Sequence, residues 1–155
     1  MPEMRADAVA VYVYRRTPLL EFLQIRRSAD SGEYQGSWQT VYGGVKAGET
    51  AVQAALRELQ EETGLVPLVM WQVEYLESFY FMAKDYVVMM PVFAVEVARD
   101  AVVRLNEEHD AARWVQEGRI ESSFMWRTQR EALRILLEAM RNQTGAREFL
   151  QVPLA

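Results

Sequence analysis

The sequence contains no cysteine and a single histidine, His109. Without thiols there is no disulfide framework, no thiolate metal site and no cysteine nucleophile. That suits a reducing compartment. The lone histidine could titrate near neutrality, but a single loop histidine reads first as exposed or structural, and no Ser-His-Asp relay is argued from it. Basic charge is also short: Lys+Arg is 17 against 22 Asp+Glu, a net charge of −5. A duplex-binding surface needs a basic footprint, so stable nucleic-acid binding is not expected. Anionic small molecules stay open, because a bound cation can reverse the sign of a local site. The longest strongly apolar run, Tyr86 to Val95, is too short for a membrane span and holds Pro91. The start, Met1 to Asp7, has neither the basic region nor the apolar core of a signal peptide. These absences predict a cytoplasmic protein with no membrane partner.

What remains is ordinary globular material. The chain has 155 residues, 50% hydrophobic and 25% charged, which predicts one domain over 1–155. Ala8 to Tyr14 reads as a strand and Leu20 to Ile25 as its hairpin partner across Thr17-Pro18. Ser28 to Gly36 is polar and reads as a loop. Trp38 to Tyr42 reads as a short strand ended by Gly43-Gly44. Thr50 to Thr63 reads as a helix with Thr50 as N-cap and Gly64 just past its end. Leu65 to Glu77 and Tyr86 to Ala98 read as two long strands joined through 78–85, and Ala112 to Val115 as a short one. Arg127 to Arg141 has apolar residues at helical spacing. Strands on both sides of a central helix, with a second helix late, give a mixed α/β (α+β) layer structure.

The chemistry gathers between Gly43 and Leu65. Glu58, Glu61 and Glu62 stand at i, i+3 and i+4 and so share one helix face. Like charges four apart destabilise an isolated helix by about 0.2–0.5 kcal/mol. All three also lie toward the C-terminal end, where the helix dipole disfavours anions. A solvated acidic face is the plain alternative. A hard cation such as Mg²⁺, which takes oxygen ligands and shares them with phosphates, removes the conflict. Gly43, Gly44 and Gly48 bracket a loop that can approach a ligand closely, and Arg57 can orient neighbouring carboxylates.

This stretch resembles the box of the Nudix hydrolases, G-x5-E-x7-R-E-U-x-E-E-x-G-U with U aliphatic. Gly43, Glu49, Arg57, Glu58, Leu59, Glu61, Glu62, Gly64 and Leu65 occupy its positions with none departing. A chance match is on the order of 10⁻⁷ for a chain this long. The resemblance implies the family's α/β/α sandwich with a mixed sheet. It implies Mg²⁺ or Mn²⁺ held by Glu58, Glu61 and Glu62, with the Gly43 carbonyl as a further ligand, and Glu49 and Arg57 as a bracing pair. The implied reaction is attack of water on a phosphorus of a nucleoside diphosphate linked to another group. The family places its general base variably; Glu61 and Glu108 are the two candidates here.

Phosphates need cations, and Arg26 and Arg27 are the expected contacts, with Arg127 or Arg130 behind them. A base or pterin ring needs flat partners. Tyr75, Phe79, Tyr80 and Phe81 are the expected pocket or rim set, with core packing the competing role. Trp38 and Trp114 could serve either use. The order of Phe22 to Arg27, Ser37-Trp38-Gln39, Glu108-His109, Trp114 and Arg127 to Ala132 resembles bacterial dihydroneopterin triphosphate pyrophosphatases. Trp38-Gln39 followed by Gly43-Gly44 also resembles diadenosine polyphosphate hydrolases, without the proline they often carry between. The lead reading is a pyrophosphohydrolase of a (d)NTP or dihydroneopterin triphosphate. The alternatives are a diadenosine polyphosphate hydrolase and, in another class, a non-catalytic nucleotide-binding regulatory domain. The intact glutamates weigh against the last. The partner expected is a nucleotide-like small molecule, and an uncovered strand face or the last helix could support a homodimer.

Overall fold

The structure is a computed structural model that describes residues 1–142 and 145–154. Its centre is a strand buried on both faces. Strand β2 (Ala8–Arg16) follows the short β1 (Glu3–Arg5) and is almost wholly buried. Alternation along the strand sends Val9, Val11 and Val13 into one core and Ala10, Tyr12 and Tyr14 into another. That is why its sequence is continuously apolar rather than alternating. Around it lie β3 (Leu20–Arg27), β4 (Trp38–Gln39), β5 (Val41–Gly44), β6 (Val69–Phe81), β7 (Tyr86–Glu96) and β8 (His109–Gln116). β7 runs parallel to β1 and β2, and the other pairings are antiparallel. The sheet is therefore mixed.

Helices cover both faces. Helix α1 (Ala51–Thr63) buries Ala54, Ala55 and Leu59 against the Val9, Val11 and Val13 side. The short α2 (Ile120–Ser123) and α3 (Arg127–Arg141) bury Ile120, Ala132, Leu133 and Leu136 against the Tyr12 and Tyr14 side. A last short helix, α4 (Ala146–Leu150), follows. Among the described residues no helix is long and apolar enough to cross a membrane.

Both main helices stand where the sequence places them. Thr50 caps α1 through a full capping box with Gln53, and Gly64 ends it in the left-handed region. Elsewhere boundaries move. The expected strand Trp38 to Tyr42 is two strands: β4 pairs with β3 and β5 with β2, while the Thr40 hydroxyl donates to the Val11 carbonyl at the break. Gly43 and Gly44 do not end the strand but lie within it, opposite Val9 and Ala8. The expected strand from Leu65 starts only at Val69 and runs on to Phe81. Pro91 sits inside β7, opposite Leu76 where β6 shifts register, a bulge that accommodates the missing donor. β1, α2 and α4 were not expected from the pattern; each is too short to show a period.

On the α3 side Glu77 of β6 is fully buried. Its carboxylate accepts from the Tyr12 hydroxyl and, at 2.8 Å, from the Tyr42 hydroxyl, which accepts from Gln129 Nε2 at 3.1 Å. Burial pushes the Glu77 carboxyl above its ordinary range, and the two hydroxyls pull it part of the way back. The folded state therefore holds this proton more tightly than the unfolded chain. Its stabilisation is complete below the ordinary glutamate pKa and is lost as pH rises through the raised folded value. Urea unfolding across pH should show that loss in the wild type and a flatter profile in Glu77→Gln. Parallel profiles would overturn this account.

Candidate functional site

Helix α1 carries its acids into three environments. Glu62 is buried, Glu58 half-buried and Glu61 exposed. The organiser is Arg57. Its Nε and Nη2 donate to the two Glu49 oxygens at 2.7 and 2.9 Å, a bidentate clasp. Nη1 reaches Glu58 at 2.7 Å and Glu61 at 3.2 Å, and Nη2 also reaches the Gly44 carbonyl at 2.8 Å. One guanidinium thus ties the loop after β5 to the helix. The Arg57 bonds, with the Lys46 backbone N–H, hold the Glu49 carboxyl down to about 2. Burial pushes Glu58 up, opposed by Arg57.

Gly43 explains its own identity. A Cβ built there would lie 2.0 Å from Glu58 Cγ and 2.2 Å from Cδ. Any side chain at 43 would displace the Glu58 carboxylate. The neighbouring Gly44 has only the Asp7 carbonyl, at 3.8 Å.

The far end of α1 meets the segment before β8. The Arg104 N–H donates to the Thr63 carbonyl at 2.8 Å. The Ser28 N–H and hydroxyl donate to the Glu108 and Glu107 carbonyls at 2.9 and 2.8 Å. Asn106 Oδ1 accepts from the Glu108 N–H at 3.2 Å. These bonds bring Glu108 and His109 to Glu62. One candidate ligand atom from each lies within 4.8 Å of the others. Glu62 is only 4% exposed and His109 5%. Glu62 Oε2 and His109 Nδ1 have no hydrogen-bond partner. Burial, then the charges of Glu58 and Glu108, pushes the Glu62 carboxyl up to about 9. Burial, then Arg27, pushes His109 down. His109 is therefore buried, with an unsatisfied Nδ1, so of the two roles expected of it, exposed or structural, the exposed one is excluded.

A buried carboxylate beside two others, with an orphaned oxygen, fits a divalent cation. Glu58, Glu62 and Glu108 could hold one, with Glu61 at the exposed margin.

The two arginines that end β3 are engaged. Arg26 Nε pairs with Asp110 at 2.7 Å, and its guanidinium lies 5.6 Å from the Trp38 ring centroid. Arg27 Nε donates to the Glu33 carbonyl at 2.9 Å, and Nη2 donates to the Ser31 carbonyl. Arg27 thereby pins the 28–37 loop. Arg130 likewise donates to the Phe124 and Met125 carbonyls, both at 2.8 Å. Trp38 is also covered by Arg113 at 4.1 Å.

The aromatic set sorts by strand alternation. Phe79 and Phe81 face the same side of β6 as Glu77; Tyr80 faces the other, where its hydroxyl donates to Asp85 at 2.7 Å. Tyr75 packs with the α3-side core. Two partners were missed in the sequence. Tyr34, in the loop that Arg27 pins, meets Trp126 edge-on at 5.4 Å and Phe81 at 6.0 Å. Tyr34 has φ +59°, a backbone state uncommon for a bulky residue. It is 44% exposed and Trp126 38%. No spacing links residues 34, 81 and 126, so only the fold could assemble them.

A cleft of about 330 Å³ lined by Arg16, Leu20, Glu117, Leu137 and Arg141 lies at the β2–β3 turn, at the opposite end of β2 from Gly43 and Gly44.

Three comparisons place the chain among known proteins. The solved C. elegans Ap4A hydrolase binary complex matches with TM-score 0.74 and 22% identity over 88% of this chain and 98% of that one. The E. coli dihydroneopterin triphosphate pyrophosphohydrolase matches with TM-score 0.69 and 20% identity over 92% and 100%. Both likenesses are of fold. A Myxococcus xanthus protein named octanoyltransferase is 44% identical over 117 residues, 74% of this chain. The chain spans only 31% of that relative's length. The NUDIX domain family model matches residues 4–135, which contain the whole Gly43–Leu65 box. With that box folded on α1 beside a mixed sheet, the chain belongs to the NUDIX domain family.

Proposed function

We propose that this chain hydrolyses a phosphoric anhydride in a nucleoside-diphosphate-linked substrate. Its preferred substrate is a (d)NTP or dihydroneopterin triphosphate, released as monophosphate and pyrophosphate, with Mg²⁺ or Mn²⁺ required. The observation that carries this is the Arg57 fan: one guanidinium fixes Glu49, Glu58 and Glu61 and leaves Glu62, beside Glu108, without a cation of its own.

Glu58, Glu62, Glu108 and the Gly43 carbonyl are the proposed metal ligands. When bound there, a divalent ion would supply charge to neutralise phosphoryl oxygens and would lower the pKa of a water. Glu61, the most open box acid, is the proposed proton acceptor, with Glu108 as the competing residue. Glu49 and Arg57 position Glu58 rather than touch substrate. Arg26 is the proposed phosphate contact, exchanging Asp110 for the substrate. Arg27 acts by holding the 28–37 loop. Trp38, Phe79 and the Tyr34–Phe81–Trp126 group are proposed to seat the ring; Tyr80, on the opposite face, is not.

The test is a hydrolysis panel with identified products: common dNTPs, dihydroneopterin triphosphate, diadenosine tetraphosphate and ADP-ribose, with Mg²⁺ present or chelated. Pyrophosphate from a triphosphate, abolished by chelation, is expected. Cleavage confined to diadenosine tetraphosphate would move the assignment to that substrate, and binding without turnover would make the chain a nucleotide-binding domain. On the best substrate Tyr34→Ala should raise KM roughly five- to hundred-fold with little change in kcat. An unchanged KM would remove Tyr34 from the pocket.

A further inference from the structure

The sequence contains one imidazole, and the fold buries it against two carboxylates. Glu62 comes from the last turn of α1, Glu108 from the segment before β8, and His109 from the first position of β8. Their candidate ligand atoms lie within 4.8 Å of one another. Ligands on opposite sides of one ion are about 4–4.4 Å apart at bond lengths of about 2.0–2.2 Å, so a small inward movement closes the set. Glu62 and His109 are both more than nine-tenths buried, and each carries a buried polar atom with no partner, Oε2 and Nδ1. Buried polar atoms are normally satisfied, so two orphans in one cluster need a reason. The nearby Arg27 does not supply one, because its guanidinium donates to the Glu33 and Ser31 carbonyls. Without a metal a proton on Glu62 can serve only one of these pairs, whereas a cation is shared by all three: ionised carboxylate oxygens and an unprotonated ring nitrogen are acceptors, and a cation satisfies converging acceptors together.

We propose that His109 is a metal ligand, and that Glu62, Glu108 and His109 form a mixed nitrogen–oxygen site preferring a borderline transition ion of the Co²⁺ or Zn²⁺ class over Mg²⁺. The site shares Glu62 and Glu108 with the ligands proposed above, and the inference rests on the reading of that end of α1 as a metal centre. It goes further by adding nitrogen. A site of oxygen donors alone suits Mg²⁺, Ca²⁺ and Mn²⁺, whereas imidazole shifts preference toward later first-row metals. The same donor set favours Co²⁺ over Mn²⁺ in the ordinary affinity order.

The test reads binding, not turnover. Untagged protein, stripped of metal, is titrated calorimetrically with Co²⁺ and with Mg²⁺ in the absence of substrate. Mn²⁺ is then bound and examined by pulsed EPR. Because the chain has a single histidine, an imidazole ¹⁴N coupling can come only from His109. The expected result is that coupling in the wild type, with Co²⁺ bound roughly tenfold or more tighter than Mg²⁺. His109→Gln should lose the coupling and roughly tenfold or more of the Co²⁺ affinity while Mg²⁺ affinity changes little. His109→Asn serves as a second variant, each checked for its melting temperature. Absence of the ¹⁴N coupling in the wild type overturns the proposal and needs no variant to fold. Equal Co²⁺ affinity in a folded variant overturns it as well. Hydrolysis is scored separately: Mg²⁺-supported turnover without nitrogen coupling leaves the proposed reaction standing and removes only His109, and coupling without turnover does the reverse.

Discussion

Glu62→Gln should abolish most turnover without unfolding the protein. The amide keeps the shape of the side chain but cannot neutralise a cation as a carboxylate does. Losing several kcal/mol of charge stabilisation at the transition state corresponds to roughly 10²–10⁴ in rate. The metal-free variant should melt no lower than the metal-free wild type. Glu62 is almost fully buried beside Glu58 and Glu108, and its carboxyl is pushed up to about 9. Below that value burial already favours the neutral form, which the amide imitates. The variant therefore separates activity from stability. Steady-state kinetics on the best substrate, with thermal melts of both proteins in chelator, is the measurement. Wild-type-like turnover in a folded Glu62→Gln protein would sink the assignment of the metal-binding acids. Glu58→Gln should show a rate loss of the same order, since Glu58 is the acid that Arg57 and Gly43 both position.

Gly43→Ala should be the most damaging single-methyl change near the box. A carbon 2.0 Å from Glu58 Cγ cannot be accommodated, so either β5 moves out of the ladder with β2 or Glu58 leaves its place beside Arg57. Overpacking of this kind costs about 1–3 kcal/mol. Displacing Glu58 should also cost activity on the scale of its own removal. Gly44→Ala is the control. Its added carbon has only the Asp7 carbonyl near it, at 3.8 Å, and the backbone carbonyl that Arg57 uses is retained. Turnover and melting temperature of the two variants should diverge widely. Similar behaviour would mean that flexibility of the Gly43-Gly44 pair, not the Glu58 contact, is what the position requires.

The sequence was read correctly wherever one local rule governed. Thr50, Gln53 and Gly64 bracket α1 because caps are made by residues adjacent in sequence. Arg127 to Arg141 is helical over its whole expected length because its apolar face repeats at helical spacing. The Glu49–Arg57 clasp and the spread of Glu58, Glu61 and Glu62 around one turn are also local: loop and helix join directly.

Expectations failed where partners come from elsewhere in the chain. Whether Trp38 to Tyr42 is one strand or two depends on β3 and β2 competing to pair with it, which no residue in the stretch announces. Nor does any period in the sequence announce that Ser28 pairs with Glu107, 79 residues on, and with Glu108, and so carries that segment to the end of α1.

The box, the caps and the two-faced apolar run of β2 were determined by the sequence alone, through contacts within a turn or along a strand. The sequence by itself therefore specified the family and the acidic helix. Only the tertiary structure decided that Glu62 is buried while Glu61 is open, that Tyr34 closes on Trp126 and Phe81, and that His109 lies against Glu62 and Glu108. The reason is physical. Burial and convergence are set by what packs across the sheet and around the helix end, and those partners lie dozens of residues away, beyond the reach of any period or cap.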